Sequence, residues 1–184
     1  AHGLGVIGEG GRGTASYFCL ENEVDVIMGT FSKSLASLGG YAVADETVID
    51  FIRHNSRPFI FSASIPPANA AVALAALRHI RNHPEIVGRL SSLSSYMRQG
   101  LKARGVPILE STTPIIPIYT YTTENTLRKA RRIYDAGVYV NPVLPPATAP
   151  DKCLLRTSYM ATLTEDLLDE AIEVFAAELA EAEA

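Results

Sequence analysis

The sequence predicts an α/β fold in two parts, and three observations lead there. Short apolar runs that read as strands alternate with segments of helical period along the 184 residues. The pattern changes character near Pro84: glycine-rich loops and short strands come before it, and helices alternating with strands follow. The composition, 47% hydrophobic and 20% charged, is that of an ordinary globular chain. We therefore expect residues 1–83 to belong to a larger α/β sheet and residues 84–184 to form a smaller α/β domain.

Each element has its own justification. Residues 1–13 hold six glycines and read as a loop, and residues 14–22 as a short helix. Glu23–Met28, with Val24, Val26 and Ile27, reads as a strand. Gly29–Gly40 is small and hydroxyl-rich, hence a turn, and Tyr41–Ala44 a second strand. Thr47–His54 carries Val48, Ile49, Phe51 and Ile52 at helical spacing, while Phe59–Phe61 reads as a strand. Pro66-Pro67 opens a helix running to about His83, because a proline suits a first turn that has no use for its N–H. Pro84 opens the next, with Ile86, Val87, Leu90, Leu93 and Met97 on one stripe. Strands are expected at Val106–Leu109 and Ile115–Tyr121, a helix at Asn125–Ala136, and a strand led by Gly137–Val140. Pro142–Pro150 is extended and irregular, and Cys153–Met160 is a strand. Thr162 and Glu165 fit a capping box before a last helix striped by Leu168, Ile172, Phe175 and Leu179.

The bulk properties narrow the function. A net charge of −4 points away from a nucleic-acid surface. Cys19 and Cys153 match no metal spacing, so no metal is expected and a reduced, cytoplasmic protein is the simplest expectation. The longest apolar stretch, Ala70–Leu77, is too short for a transmembrane segment. The chain opens inside a glycine-rich turn, so we expect it to be a fragment of a longer protein.

Lys33 is the only lysine in the first hundred residues, and no other charge lies between Asp25 and Asp45. A lysine in a small, hydroxyl-rich turn between two apolar strands can lose part of its hydration. Desolvation disfavours the ammonium form, and a neutral amine is a nucleophile that forms Schiff bases. The alternative is a loop lysine pointing at solvent. The segment Thr30-Phe31-Ser32-Lys33-Ser34, followed by Ser37-Leu38-Gly39-Gly40, resembles the cofactor-lysine segment of the α-oxoamine synthases. These are pyridoxal 5'-phosphate (PLP) enzymes of fold type I, aminotransferase class II, which condense an amino acid with an acyl-CoA and release CO₂. The resemblance covers the whole chain and implies the C-terminal half of such an enzyme: the end of the PLP-binding large domain, then the small C-terminal domain. It implies that Lys33 carries PLP and moves the substrate Cα proton, that Thr30 bonds the cofactor phosphate, and that Ser32 assists.

The opening loop supports two readings. Gly3-Leu4-Gly5-Val6-Ile7-Gly8 satisfies the G-x-G-x-x-G pattern. That pattern signifies dinucleotide binding only between a strand and a helix, and Gly10, Gly11 and Gly13 disfavour a helix here. In the family, Asp-Glu-Ala-His precedes such a stretch, and Ala1-His2 resembles its second half. His2 would then contact the cofactor's phenolic oxygen and help place the substrate. The Asp that pairs with the pyridinium nitrogen would lie upstream of Ala1. On that ground the 184-residue chain alone is expected to be inactive.

Two further positions complete the expected site. Ser62 lies between the expected strand and helix, where Ser64 reads as a helix cap. By resemblance Ser62 reaches the cofactor phosphate of a partner subunit, which implies a homodimer with shared active sites. Arg156, preceded by Leu154 and Leu155, reads as a part-buried strand arginine that needs an anionic partner, either a structural salt bridge or a ligand. The resemblance assigns it the amino-acid carboxylate. Two departures stand out: Leu163 replaces a histidine common in the family, and Leu144 lies where some members have an arginine before Pro-Pro-Ala-Thr. The resemblance is greatest to bacterial serine palmitoyltransferases, whose reaction uses serine in sphingolipid biosynthesis. The 8-amino-7-oxononanoate synthases of biotin biosynthesis, the 2-amino-3-ketobutyrate CoA ligases and a non-catalytic family subunit are the alternatives.

Overall fold

A computed structural model describes residues 1–180. The chain divides into two compact units, Ala1–Val87 and Gly88 onward, and the division falls inside a helix rather than at Pro84.

In the first unit, the loop of residues 1–13 holds one turn of 3-10 helix, Glu9–Gly11, and leads into α1 (Thr14–Tyr17). Strands β1 (Val26–Thr30) and β2 (Gly40–Ala44) form an antiparallel hairpin, with Val26 opposite Ala44 and Thr30 opposite Gly40. The Tyr41 ring lies across Gly29, where any side chain would collide with it. Helices α2 (Glu46–Asn55), α3 (Arg57–Ile60) and α4 (Pro67–Asn82) follow. Among the apolar side chains of this unit only Leu35 and Ala73 are buried, while Met28, Phe51, Phe59 and Phe61 are exposed.

Four expectations need correction. Phe59–Phe61 is not a strand: Phe59 and Ile60 lie in α3, where Pro58 sits in the first turn and the Ile60 N–H donates to the Ser56 carbonyl. A three-residue apolar run has no period of its own, so the proline decides. Ser64 does not cap α4; Pro66 occupies that position and no side chain bonds there. Val106–Leu109 is reduced to a single bridge between Ile108 and Ile118. The last helix, α7 (Glu165–Ala180), is capped by Thr164 rather than Thr162, its hydroxyl accepting from the Leu167 N–H at 3.4 Å. That is the geometry of a cap residue bonding the third helical N–H, with no glutamate needed in return.

The second unit has a core. Helix α5 (Glu85–Ala103) runs into it, followed by β3 (Ile115–Tyr121), α6 (Thr123–Asp135), β4 (Asn141–Val143), β5 (Cys153–Ser158) and α7. The strands form an antiparallel sheet in the order β3-β5-β4. Alternate residues of β3 and β5 are buried, Ile116, Ile118 and Thr120 beside Cys153, Leu155 and Thr157. They pack with Leu93, Met97 and Leu101 of α5, Ile133 of α6, and Leu168, Ile172 and Phe175 of α7. This is the one-sided burial expected of a sheet with helices on one face. The buried threonines of the sheet and α6 are paired: Thr120 and Thr126 hydroxyls lie 2.6 Å apart, and the Thr157 hydroxyl donates to the Ile116 carbonyl at 2.8 Å.

Candidate active site

Lys33 stands in the β1–β2 connection, and that loop is organised by its hydroxyls. The Thr30 and Ser32 side-chain oxygens are 2.8 Å apart, and the Ser32 N–H donates to Thr30 Oγ1 at 3.2 Å. The loop closes through Phe31 N–H to Gly39 O at 2.9 Å and Ser37 N–H to Phe31 O at 2.8 Å. Leu35, 2% exposed, anchors it from below. Two serine hydroxyls tie it to its surroundings: Ser34 donates to the Leu4 carbonyl and Ser37 to the Asn69 carbonyl, each at 2.6 Å. These anchors fix the backbone on both sides of Lys33.

The Lys33 side chain itself is exposed. This corrects the expected desolvation: a two-stranded hairpin offers too few neighbours to bury a long side chain, so nothing within the unit strips it of water. What the loop does supply is an accessible amine in the same turn as two hydroxyls, Ser32 next to it in sequence and Thr30, whose Oγ1 donates to the Gly39 carbonyl at 3.2 Å. Such a set of groups suits a carbonyl compound carrying a phosphate, the amine for the carbonyl and the hydroxyls for the anion.

The glycine-rich loop meets the Lys33 loop directly. Gly5 adopts φ +74°, and a Cβ there would stand 2.8 Å from the Ser34 Cβ. The Gly5 N–H donates to the Gly11 carbonyl at 2.7 Å and the Gly13 N–H to the Ile7 carbonyl at 2.8 Å. The loop folds back on itself, and Gly8 leads only into the 3-10 turn Glu9–Gly11 rather than into an α-helix, so its geometry departs from a dinucleotide fingerprint. His2, two residues before Leu4, is exposed at the start of this junction. Ser62 is exposed in the α3–α4 connection, and that connection approaches the Lys33 loop through Ile65, against which Gly39 packs. Thus Lys33, Thr30 and Ser32 share one loop, and His2 and Ser62 lie on segments touching it.

Arg156 belongs to the second unit. Its neighbours Leu155 and Thr157 point into the core, so Arg156 projects from the opposite face of β5, between Pro117 of β3 and Asn141 of β4. Its Nε is buried and has no hydrogen-bond partner. A buried guanidinium N–H without a partner is costly, which argues against a structural salt bridge and for a ligand anion. Thr148 Oγ1, in the proline-rich loop after β4, and Arg98 Nε of α5 are further buried polar atoms without a hydrogen-bond partner. Neither Thr148 nor Asn141 stood out in the sequence. Asn141 was within reach, since Tyr139 and Asn141 follow the two-residue period of a strand face. Among the described residues, no cluster of three or more His, Cys, Asp or Glu side chains that could hold a metal gathers, and no helix is long and apolar enough to cross a membrane.

Comparison with known proteins decides the family. The model of the aminotransferase class I and II family matches residues 1–175. The chain belongs to that family. A serine palmitoyltransferase of Bacteroides thetaiotaomicron is 48% identical over 173 residues, covering 94% of this chain and 44% of that protein. An 8-amino-7-oxononanoate synthase of Geobacter metallireducens is 39% identical over 180 residues, covering 96% of this chain and 46% of that one. Among solved structures, a serine palmitoyltransferase holding PLP as an internal aldimine superposes with a TM-score of 0.91 at 33% identity, over 97% of this chain and 45% of its own. The α/β fold of this aminotransferase-family chain is that of fold type I PLP enzymes. The chain spans a little under half the length of these relatives.

Proposed function

We propose that this chain carries the Schiff-base lysine and carboxylate arginine of a PLP-dependent α-oxoamine synthase. Its reaction is the decarboxylative condensation of an amino acid, serine first among the candidates, with an acyl-CoA. The observation that carries the reading is the Lys33 loop: an accessible amine in a turn that carries the bonded Thr30 and Ser32 hydroxyls and is held by Ser34 and Ser37. The serine preference is supported by the serine palmitoyltransferase relatives, and 8-amino-7-oxononanoate synthase chemistry is the second reading. The whole enzyme is read as a cytoplasmic homodimer in which Ser62 serves the partner's phosphate site.

PLP, when bound, supplies the electron sink for a Cα carbanion. The chain's residues do the rest. Lys33 would hold the cofactor through its amine and would be the base that moves the substrate Cα proton. Thr30 would bond the cofactor phosphate, with Ser32 assisting. His2 helps place the amino acid. Arg156 would grip the substrate carboxylate with its planar fork.

In the full-length protein Lys33→Ala is expected to abolish condensation and the covalent bond between chain and cofactor. Full condensation activity in that variant overturns the reading. Arg156→Lys retains the cofactor but weakens amino-acid binding, because an ammonium is a point charge without the fork. The expected loss is about ten- to a hundredfold. An unchanged amino-acid affinity together with a lower melting temperature returns Arg156 to the scaffold.

A further inference from the structure

We propose that Asn141 is a second carboxylate-binding residue, donating through Nδ2 to the amino-acid carboxylate held by Arg156; this rests on the reading of Arg156 above. Asn141 and Arg156 are directly paired across the β4–β5 ladder. Directly paired residues project from the same face of a sheet, with Cβ atoms about 4.5–5.5 Å apart. Leu155 and Thr157 take the core face, so the Asn141 and Arg156 side chains share the other. An anion that satisfies the buried Arg156 Nε therefore sits within reach of the Asn141 amide.

The amide is also oriented. The Tyr139 hydroxyl donates to Asn141 Oδ1 at 3.0 Å, which occupies the acceptor end and leaves Nδ2 as the donor end. Tyr139 stands two residues away on the chain, in line with the same face. A carboxylate has about four lone-pair sites, and an arginine fork fills two of them. A neutral amide donor suits the remainder, because it adds a hydrogen bond without the desolvation cost of another charge. The choice matters in this chain, where Leu144 in the following loop offers no donor.

The side-chain chemistry makes the variants discriminating. Asn141→Asp keeps the size and shape and still accepts from Tyr139, but presents a negative oxygen to the carboxylate. Asn141→Ala removes the donor alone. Tyr139→Phe leaves the donor but frees the amide to turn.

The test uses the full-length holoenzyme, with L-serine binding followed by the cofactor's absorbance, KM measured for serine and acyl-CoA separately, and a melting curve for each variant. Asn141→Ala is expected to weaken serine binding roughly tenfold. Asn141→Asp weakens it further, about a hundredfold or more, and Tyr139→Phe by less than Asn141→Ala. KM for acyl-CoA and the melting temperature stay near the parent values in Asn141→Asp. Serine affinity equal to the parent's in Asn141→Asp, while Arg156→Ala loses it, overturns this proposal alone. Serine affinity unchanged in Arg156→Ala overturns the reading beneath it, and this proposal with it. Equal losses of affinity in Asn141→Ala and Asn141→Asp, tracking a fall in melting temperature, assign Asn141 to the fold and likewise overturn the proposal.

Discussion

The two units of this chain solve different problems. The second packs three helices on one face of a three-stranded sheet and buries Met97, Leu101, Ile116, Ile118, Ile133 and Leu155 completely. The first carries the lysine loop, yet leaves Met28, Phe51, Phe59 and Phe61 more than half exposed. Stability follows buried apolar area, at roughly 25 cal/mol per Å². The second unit thus has the means to hold Arg156 and Asn141 on a stiff platform. The first holds Lys33 by hydrogen bonds within the loop and from its serines to Leu4 and Asn69, while large apolar side chains stay exposed.

The contrast breaks most visibly when the units are separated. Residues 88–184 expressed alone are expected to unfold in one cooperative transition, and residues 1–87 alone to show none; urea titrations followed by circular dichroism read both. A cooperative transition in the first unit would erase the contrast. Within the whole chain, Ile118→Ala is expected to cost about 2–5 kcal/mol, the range for emptying a filled core. Met28→Ala, which removes a side chain of comparable size that is 68% exposed, stays within about 0.5 kcal/mol. Denaturant midpoints compare the two.

Smaller effects sharpen the account of the second unit. Gly100 of α5 lies against the Ile172 side chain of α7, so that a Cβ there would overlap it. Alanine raises helix propensity by about 1 kcal/mol. The atom in the way is Ile172 Cδ1, the far end of a flexible side chain that borders an open cavity shared with Tyr96, Ala103 and Glu173, so it can swing aside at small cost; the propensity gain wins, and Gly100→Ala is expected to raise the melting temperature.

Tyr159 gives the smallest effect, and it depends on pH. Burial pushes its phenol up to about 12, and the Thr157 hydroxyl 2.7 Å away opposes the rise only in part. The unfolded phenol ionises near about 10, so above that pH the unfolded chain sheds a proton that the folded chain keeps. The contribution to stability is intact below about pH 10 and drains away as the pH climbs toward about 12. Tyr159→Phe removes this alkaline loss, leaving a flatter stability profile there, at a neutral-pH cost of about 1 kcal/mol for the hydrogen bond. Urea midpoints of both proteins at neutral and alkaline pH test the difference.

Legibility in the sequence followed periodicity. Ile115–Tyr121 was readable because a strand buried on one face repeats every second residue, α5 and α7 because their stripes recur at helical spacing, and α4 because two prolines open it. Phe59–Phe61 was misread because three residues cannot show a period, and Thr162 because two threonines lie within one turn of the start of α7. Lys33 stood out through its isolation from other charge, but its exposure depends on what surrounds the hairpin, which local sequence does not encode. Asn141 escaped notice for a related reason: its pairing with Arg156 is a property of strand register, set by a connection through a proline-rich loop that carries no periodic signal.

The central claim is that Lys33 is the residue to which the cofactor attaches. Borohydride reduction of the full-length protein loaded with PLP, followed by proteolysis and mass mapping, tests it directly. The expected result is a single pyridoxyl modification on the peptide containing Thr30-Phe31-Ser32-Lys33. Modification of another lysine with Lys33 untouched, or no covalent label at all, would contradict the account.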